Sequence, residues 1–142
     1  AYPRMAGLAE DWLARYPSIQ MVLDVHRDSL ETDDGTQLAL RADVDGEACA
    51  KLLLVMGSNG SGLEHPGWRQ NLANAARLQA LCEQRAPGLM RDLLLRASRY
   101  NQHLTPRSML LEVGTAGNAL EEALRSADIF SQVLADCLLG KA

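Results

Sequence analysis

Met21-Val-Leu-Asp-Val-His-Arg-Asp28 and Ser108-Met-Leu-Leu-Glu-Val-Gly114 are the two stretches whose reading decides the fold. Each is an apolar run too short for a helix, so each reads as a buried strand, and each carries an ionisable residue at its end. In α/β proteins chemistry collects at strand ends. His26 is thereby a candidate metal ligand and Glu112 a candidate acid/base, although one histidine and one remote glutamate equally suit hydrogen-bonded structural groups.

Working outward, Lys51–Met56 is a third apolar strand, closed by the turn-rich Gly57-Ser-Asn-Gly-Ser-Gly62, which is too irregular to cradle a phosphate. Helical spacing appears three times. Arg4–Arg15 puts Met5, Leu8, Ala9, Trp12 and Leu13 on one face and stops at Tyr16-Pro17. Pro66–Arg85 does the same with Trp68, Leu72, Ala75, Leu78 and Cys82. The last helix is expected to start in a capping box of Asn118 and Glu121, with Leu120, Ala123, Leu124, Ala127, Phe130, Leu134 and Cys137 as its core stripe. Glu31–Gly46 reads as a loop or polar hairpin, Leu89–Arg96 as a short helix after the Pro87-Gly88 break, and Asn101–Arg107 as a loop. Strands alternating with helices predict an α/β layered domain, its mainly parallel or mixed twisted sheet flanked by helices, over residues 1–142 as one unit.

Composition narrows the function. With 47% apolar and 23% charged residues in 142, the chain is of ordinary globular make-up. A net charge of −4, a pI near 5.3 and six aromatic residues leave no electrostatic or stacking case for nucleic acid. No run approaches the ~20 apolar residues of a membrane-spanning helix. Cys49, Cys82 and Cys137 are far apart and lack metal-knuckle spacing, so they read as small apolar residues.

Several segments together, Leu23-Asp-Val-His-Arg-Asp-Ser29, Val55-Met-Gly57, Gly62-Leu-Glu-His-Pro-Gly-Trp68 with Asn71, Tyr100-Asn-Gln102 and Leu111-Glu-Val-Gly-Thr-Ala-Gly-Asn118 through Glu122, resemble the stage II sporulation protein P family. The resemblance implies a zinc-dependent N-acetylmuramoyl-L-alanine amidase that hydrolyses peptidoglycan during engulfment, with a lytic transglycosylase and a membrane protein as partners. It also implies an extracytoplasmic protein held by a membrane anchor outside this sequence. By the same resemblance His26 matches the histidine ligand of an Asp-x-His-Arg-Asp motif and Glu112 the acid/base of Leu-x-Glu-x-Gly. The family's other two ligands sit in a Thr-His-x-x-Glu segment that this sequence does not contain. We therefore expect the chain to be the C-terminal portion of an amidase catalytic domain, with the ligand-bearing strand and helix outside it; the alternative is a non-catalytic peptidoglycan-binding or scaffold remnant.

The remaining candidates keep two readings each. Arg27 and Asp28 are expected to pair and orient the His26 loop. His65 either lines a substrate groove or caps the following helix. Tyr100, Asn101 and Gln102 offer hydrogen bonds to a peptide or sugar, or simply form a turn. Asn118 is expected to be a helix N-cap whose helix terminus can also receive an anionic substrate group.

Overall fold

The computed structural model describes residues 2–141. Three helices, α1 (Tyr2–Arg15), α2 (Trp68–Arg85) and α3 (Leu120–Leu138), accompany six strands: β1 (Val22–Asp28), β2 (Arg41–Val44), β3 (Glu47–Ala50), β4 (Leu52–Gly57), β5 (Leu94–Arg96) and β6 (Ser108–Thr115). The main sheet has the order β1-β6-β4-β5, with β1 parallel to β6, β6 antiparallel to β4, and β4 parallel to β5. The expected α/β fold with a mixed sheet and flanking helices is the one observed.

The sheet's two faces differ, and the difference positions the site. Because successive strand residues point to opposite sides, Leu52, Leu54 and Met56 of β4 and Met109 and Leu111 of β6 face one way, into a core with Ala75, Leu78 and Cys82 of α2 and Phe130 and Val133 of α3. The other face carries only Leu53, Val55 and Leu110, with Leu94 and Tyr100 packed against them. Leu54 is wholly buried in the thick core. Replacing it with Ala should cost about 2–5 kcal/mol, read as a lower urea midpoint at unchanged slope.

Three local expectations are corrected and one is made specific. Leu89–Arg96 is not a helix: Met90 bridges Leu52 and residues 94–96 form β5 against β4. β4 is buried along its whole length, so an unpaired edge there would strand its N–H and C=O groups, and tertiary pairing overrides local propensity. Glu31–Gly46 holds the polar hairpin expected there in two pieces: Glu31 bridges Gln37 antiparallel, and β2 turns into β3 through Asp45-Gly46, both at positive φ (55° and 84°), as a two-residue hairpin requires. The α1 stripe is half-open rather than buried: Met5, Leu8 and Trp12 are each 50% exposed or more. Finally, the α3 stripe is rotated. Leu120 and Leu124 are exposed, while Glu122, Ser126, Phe130 and Val133 face inward. The two polar residues are accommodated because the hairpin presents partners to them: the Ser126 hydroxyl donates to the Ala50 carbonyl at 2.7 Å, and Glu122 accepts from Arg41.

All three cysteines are free, and Cys49 and Cys82 are buried. Burial pushes the Cys82 thiol up to about 12, with Glu83 acting in the same sense, so it behaves as the apolar core residue expected.

Candidate functional site

Parallel pairing of β1 with β6 sets His26 directly beside Glu112. The same register sets Asp24 beside Leu110, so Asp24, His26 and Glu112 all project from the thin face, next to the Leu53–Val55–Leu110 patch. Two residues separated by 86 positions in sequence thus meet because the strands align; neither strand alone holds the pair.

The two side chains have contrasting surroundings. His26 is 39% exposed at the sheet edge, its Nε2 2.9 Å from Asp24 Oδ1. Glu112 is more enclosed, and its Oε2 is buried with no hydrogen-bond partner. Burial first, then the charge of Asp28, raises the proton affinity of Glu112 above the ordinary carboxylate value; His26 and Arg91 offset part of this, and Asp24 adds to it. A carboxyl group raised in this way and left with an open oxygen is suited to taking and returning a proton.

Arg27 and Asp28 do not pair with each other. The Arg27 guanidinium donates to the carbonyls of Thr115 (2.8 Å), Ala116 (2.9 Å) and Asn118, clamping the loop that follows Glu112. Asp28 instead pairs with Arg91 at 2.6 Å. A β-bulge between His26 and Asp28 shifts the register, which frees Arg27 to turn toward the β6–α3 loop. The expected Arg27–Asp28 pair is therefore replaced by two separate contacts on either side of the β1–β6 strand ends.

Asn118 is not an N-cap; that position is Ala119, whose N–H is accepted by Glu122 at 3.1 Å. The Asn118 side chain is buried and fully engaged: Oδ1 accepts from the Thr115 N–H and hydroxyl, and Nδ2 donates to the Leu40 carbonyl and to Glu122. Hydrogen bonds from Arg41 and Asn118 hold the Glu122 carboxyl down at about 2. The helix start is therefore already served by the chain's own carboxylate, which removes the expected role for a substrate anion there. Gly114 of β6 sits at φ +74°, with an added Cβ meeting that of Ala50 at 2.8 Å, so this strand position beyond Glu112 has room only for glycine.

His65 lies elsewhere; Gln102, with Tyr100 and Asn101, lines a cavity that Asp24 also borders. Gln102 is buried, donating to the Val55 carbonyl and accepting from the Gly57 N–H at the far end of β4. Along β6 that end is marked by Ser108, four residues before Glu112, or about 13 Å at 3.3 Å per residue. His65 is 1% exposed, 3.3 Å from Asn71 and edge-on to His103 with ring centroids 6.5 Å apart. Its side chain neither lines a groove nor caps α2; only its backbone carbonyl meets the Trp68 N–H. Tyr100 and Asn101 keep a connection to the site. Both have positive φ (48° and 59°), Tyr100 packs on the thin face, and both line a cavity of about 120 Å³ that Asp24 also borders.

Burial lowers the proton affinity of His65 and, with a further push from Arg99, of His103. The folded state therefore holds both neutral where the unfolded chain protonates. Stability should be complete above the unfolded histidine value of about 6.5 and fall as pH drops below it. Thermal melts from pH 7.5 to 5 check this, and His65→Asn with His103→Asn should flatten the slope.

The donor chemistry suits a metal ion in part. His26 offers an imidazole nitrogen beside a carboxylate, but no group of three His, Cys, Asp or Glu side chains able to hold a metal stands together among the described residues. Sequence reasoning offers Asp24 or Asp28 as the partner of His26, of which the structure takes Asp24, and it leaves Arg91 unassigned. Asp24 lies two positions from His26 on one strand face, a visible signal; Arg91 reaches Asp28 only through tertiary pairing of its segment beside β4.

Comparison with known proteins gives two matches. A family model described as stage II sporulation protein P matches residues 1–135. Stage II sporulation protein P of Bacillus subtilis (strain 168) is 32% identical over 145 residues, an alignment covering 96% of this chain and 34% of that protein. The chain thus spans about a third of the length of the curated relative it matches. No solved structure matches.

Proposed function

We propose, on the premise that this chain belongs to the stage II sporulation protein P family, that it forms the C-terminal part of a zinc-dependent N-acetylmuramoyl-L-alanine amidase acting on peptidoglycan during sporulation. The observation that carries this reading is the register pairing of His26 with Glu112, whose Oε2 is buried and unpartnered. In this reading His26 is one zinc ligand, and the others come from residues outside this sequence. β1 supports that arrangement: it is an edge strand of the main sheet, and its Val25 is 60% exposed. A further strand pairing there would arrive beside His26.

When bound, zinc supplies a polarised water and a positive charge for the developing oxyanion. The chain's own residues do the rest. Glu112, raised toward neutrality by burial and by Asp28, accepts the water's proton as the oxygen attacks the lactyl carbonyl, then returns it to the departing L-alanine nitrogen. The Arg91–Asp28 pair and the Arg27 clamp fix the strand ends so that His26 and Glu112 keep their separation. Engulfment, an extracytoplasmic anchored setting, and a lytic transglycosylase and a membrane protein as partners belong to the same proposal. No described helix is long and apolar enough to cross a membrane.

The second reading, a non-catalytic peptidoglycan-binding scaffold, draws on the absence of a three-ligand group among the described residues. Digestion of purified peptidoglycan by the intact protein separates them. Amidase action should release stem peptides with a free L-alanine amine and leave glycan strands with free lactyl carboxylates, read by mass spectrometry. Peptidoglycan that is bound and recovered uncut would establish the scaffold.

A further inference from the structure

We propose that Tyr100 and Asn101 form a rigid clamp for the peptide arm of the substrate, set between two cavities on the side of the sheet that carries Glu112. This role rests on the amidase reading of Glu112 for where the peptide begins. Tyr100 and Asn101 both have positive φ, 48° and 59°, a costly backbone conformation for a residue as bulky as tyrosine. Such residues persist only where their surroundings fix them, and they gather at ligand clamps. Two sets of contacts fix them here. Buried Gln102 accepts from the Gly57 N–H and donates to the Val55 carbonyl, both at 2.9 Å, and its own carbonyl accepts from the Asn71 amide at 2.7 Å. On the other side, a Cβ on Gly57 would meet the Ser98 carbonyl oxygen at 2.6 Å and Arg99 Cα at 2.8 Å, so the segment before Tyr100 lies directly on the backbone of β4.

The clamp stands between open spaces. Tyr100 and Asn101 line the cavity of about 120 Å³ that Asp24 borders, and also a wider one of about 640 Å³ between α1 and the 98–101 loop. The spacing fits a peptide. Val55, which Gln102 holds, pairs with Leu110, two residues from Glu112, and Ser108, which lines the smaller cavity, is four residues away. At 3.3 Å per residue these separations are roughly 7 and 13 Å. A peptide extended from the scissile amide at Glu112 along the Leu53–Val55–Leu110 patch, on which Tyr100 packs, therefore brings its third to fifth residues to the clamp. The wider cavity takes Arg99 from the loop and Glu10 from α1. It thus presents one cation and one anion to a peptide end that bears both carboxylate and amino groups, whereas a neutral sugar would meet no matching charge.

The test measures, by calorimetry, how the intact protein that carries this chain binds free stem peptides, which have no muramoyl bond to hydrolyse. A five-residue peptide that begins with L-alanine and contains a diamino acid should bind about 10–100-fold more tightly than the dipeptide of its first two residues, and Arg99→Ala should remove that factor, the worth of one hydrogen bond to a charged group. The melting temperature of Arg99→Ala should be unchanged, because Arg99 is exposed. The same peptide with a photoreactive group on its last residue should label the 98–101 loop or α1 of the wild-type protein, a readout that depends on no variant folding. Equal affinity for the two peptides, wild-type affinity in Arg99→Ala, or labelling of α2 or α3 across the sheet overturns the clamp, whether or not the protein cleaves muropeptides. Tight, loop-labelling binding of the peptide by a protein that leaves muropeptides uncut supports the clamp and overturns the amidase reading.

Discussion

His26→Ala should strip the intact protein of zinc and of muropeptide hydrolysis together while leaving its circular dichroism unchanged. A catalytic zinc usually takes three protein ligands, so removing one should weaken binding by more than the 10–100-fold that loss of an outer partner costs. The fold should tolerate the change. His26 lies on the edge strand with its side chain 39% exposed and hydrogen-bonded to Asp24, and substitutions at such positions typically shift stability by within about 0.5 kcal/mol. Metal analysis by mass spectrometry alongside circular dichroism checks both halves. A variant that keeps full zinc and full cleavage would return His26 to a surface residue hydrogen-bonded to Asp24.

The site's centre was legible because its two residues close short apolar runs. A run such as Met109-Leu-Leu111 has only a strand reading, and the ionisable residue that ends it must sit at the sheet's margin. What placed His26 opposite Glu112 was parallel pairing over 86 positions, which no local pattern encodes. The brace was illegible for the same reason. Arg91 was assigned to a helix because Leu89–Arg96 has no alternation to contradict one; only the need of buried β4 for a partner draws it out as β5 and sets Arg91 on Asp28.

Elsewhere sequence pattern misjudged which polar groups go inside. Apolar spacing turned α3 toward Leu120 and Leu124, whereas the observed face is led by Glu122 and Ser126, because β2 offers Arg41 to the first and β3 the Ala50 carbonyl to the second. Residues expected to touch substrate met the same fate. His65, Gln102 and Asn118 look like surface hydrogen-bonding groups in sequence, yet each is buried, and Gln102 and Asn118 spend their polar atoms on the fold while His65 Nδ1 is left without a partner. Tyr100, Asn101 and Gln102 of that set border a cavity reaching Asp24.

The central claim, that Glu112 moves the proton in amide hydrolysis, is tested most directly by Glu112→Gln in the intact protein. The amide keeps the size of the carboxylate and can accept a hydrogen bond, but it cannot take up a proton from water and hand it on. General acid/base assistance is typically worth ~10²–10⁴-fold, so the initial rate of release of L-alanine-terminated stem peptides should fall by that factor, with zinc content and peptidoglycan binding retained. Cleavage at the wild-type rate would make Glu112 a structural residue and contradict the account, and loss of zinc from the variant would contradict it too, by making Glu112 a ligand.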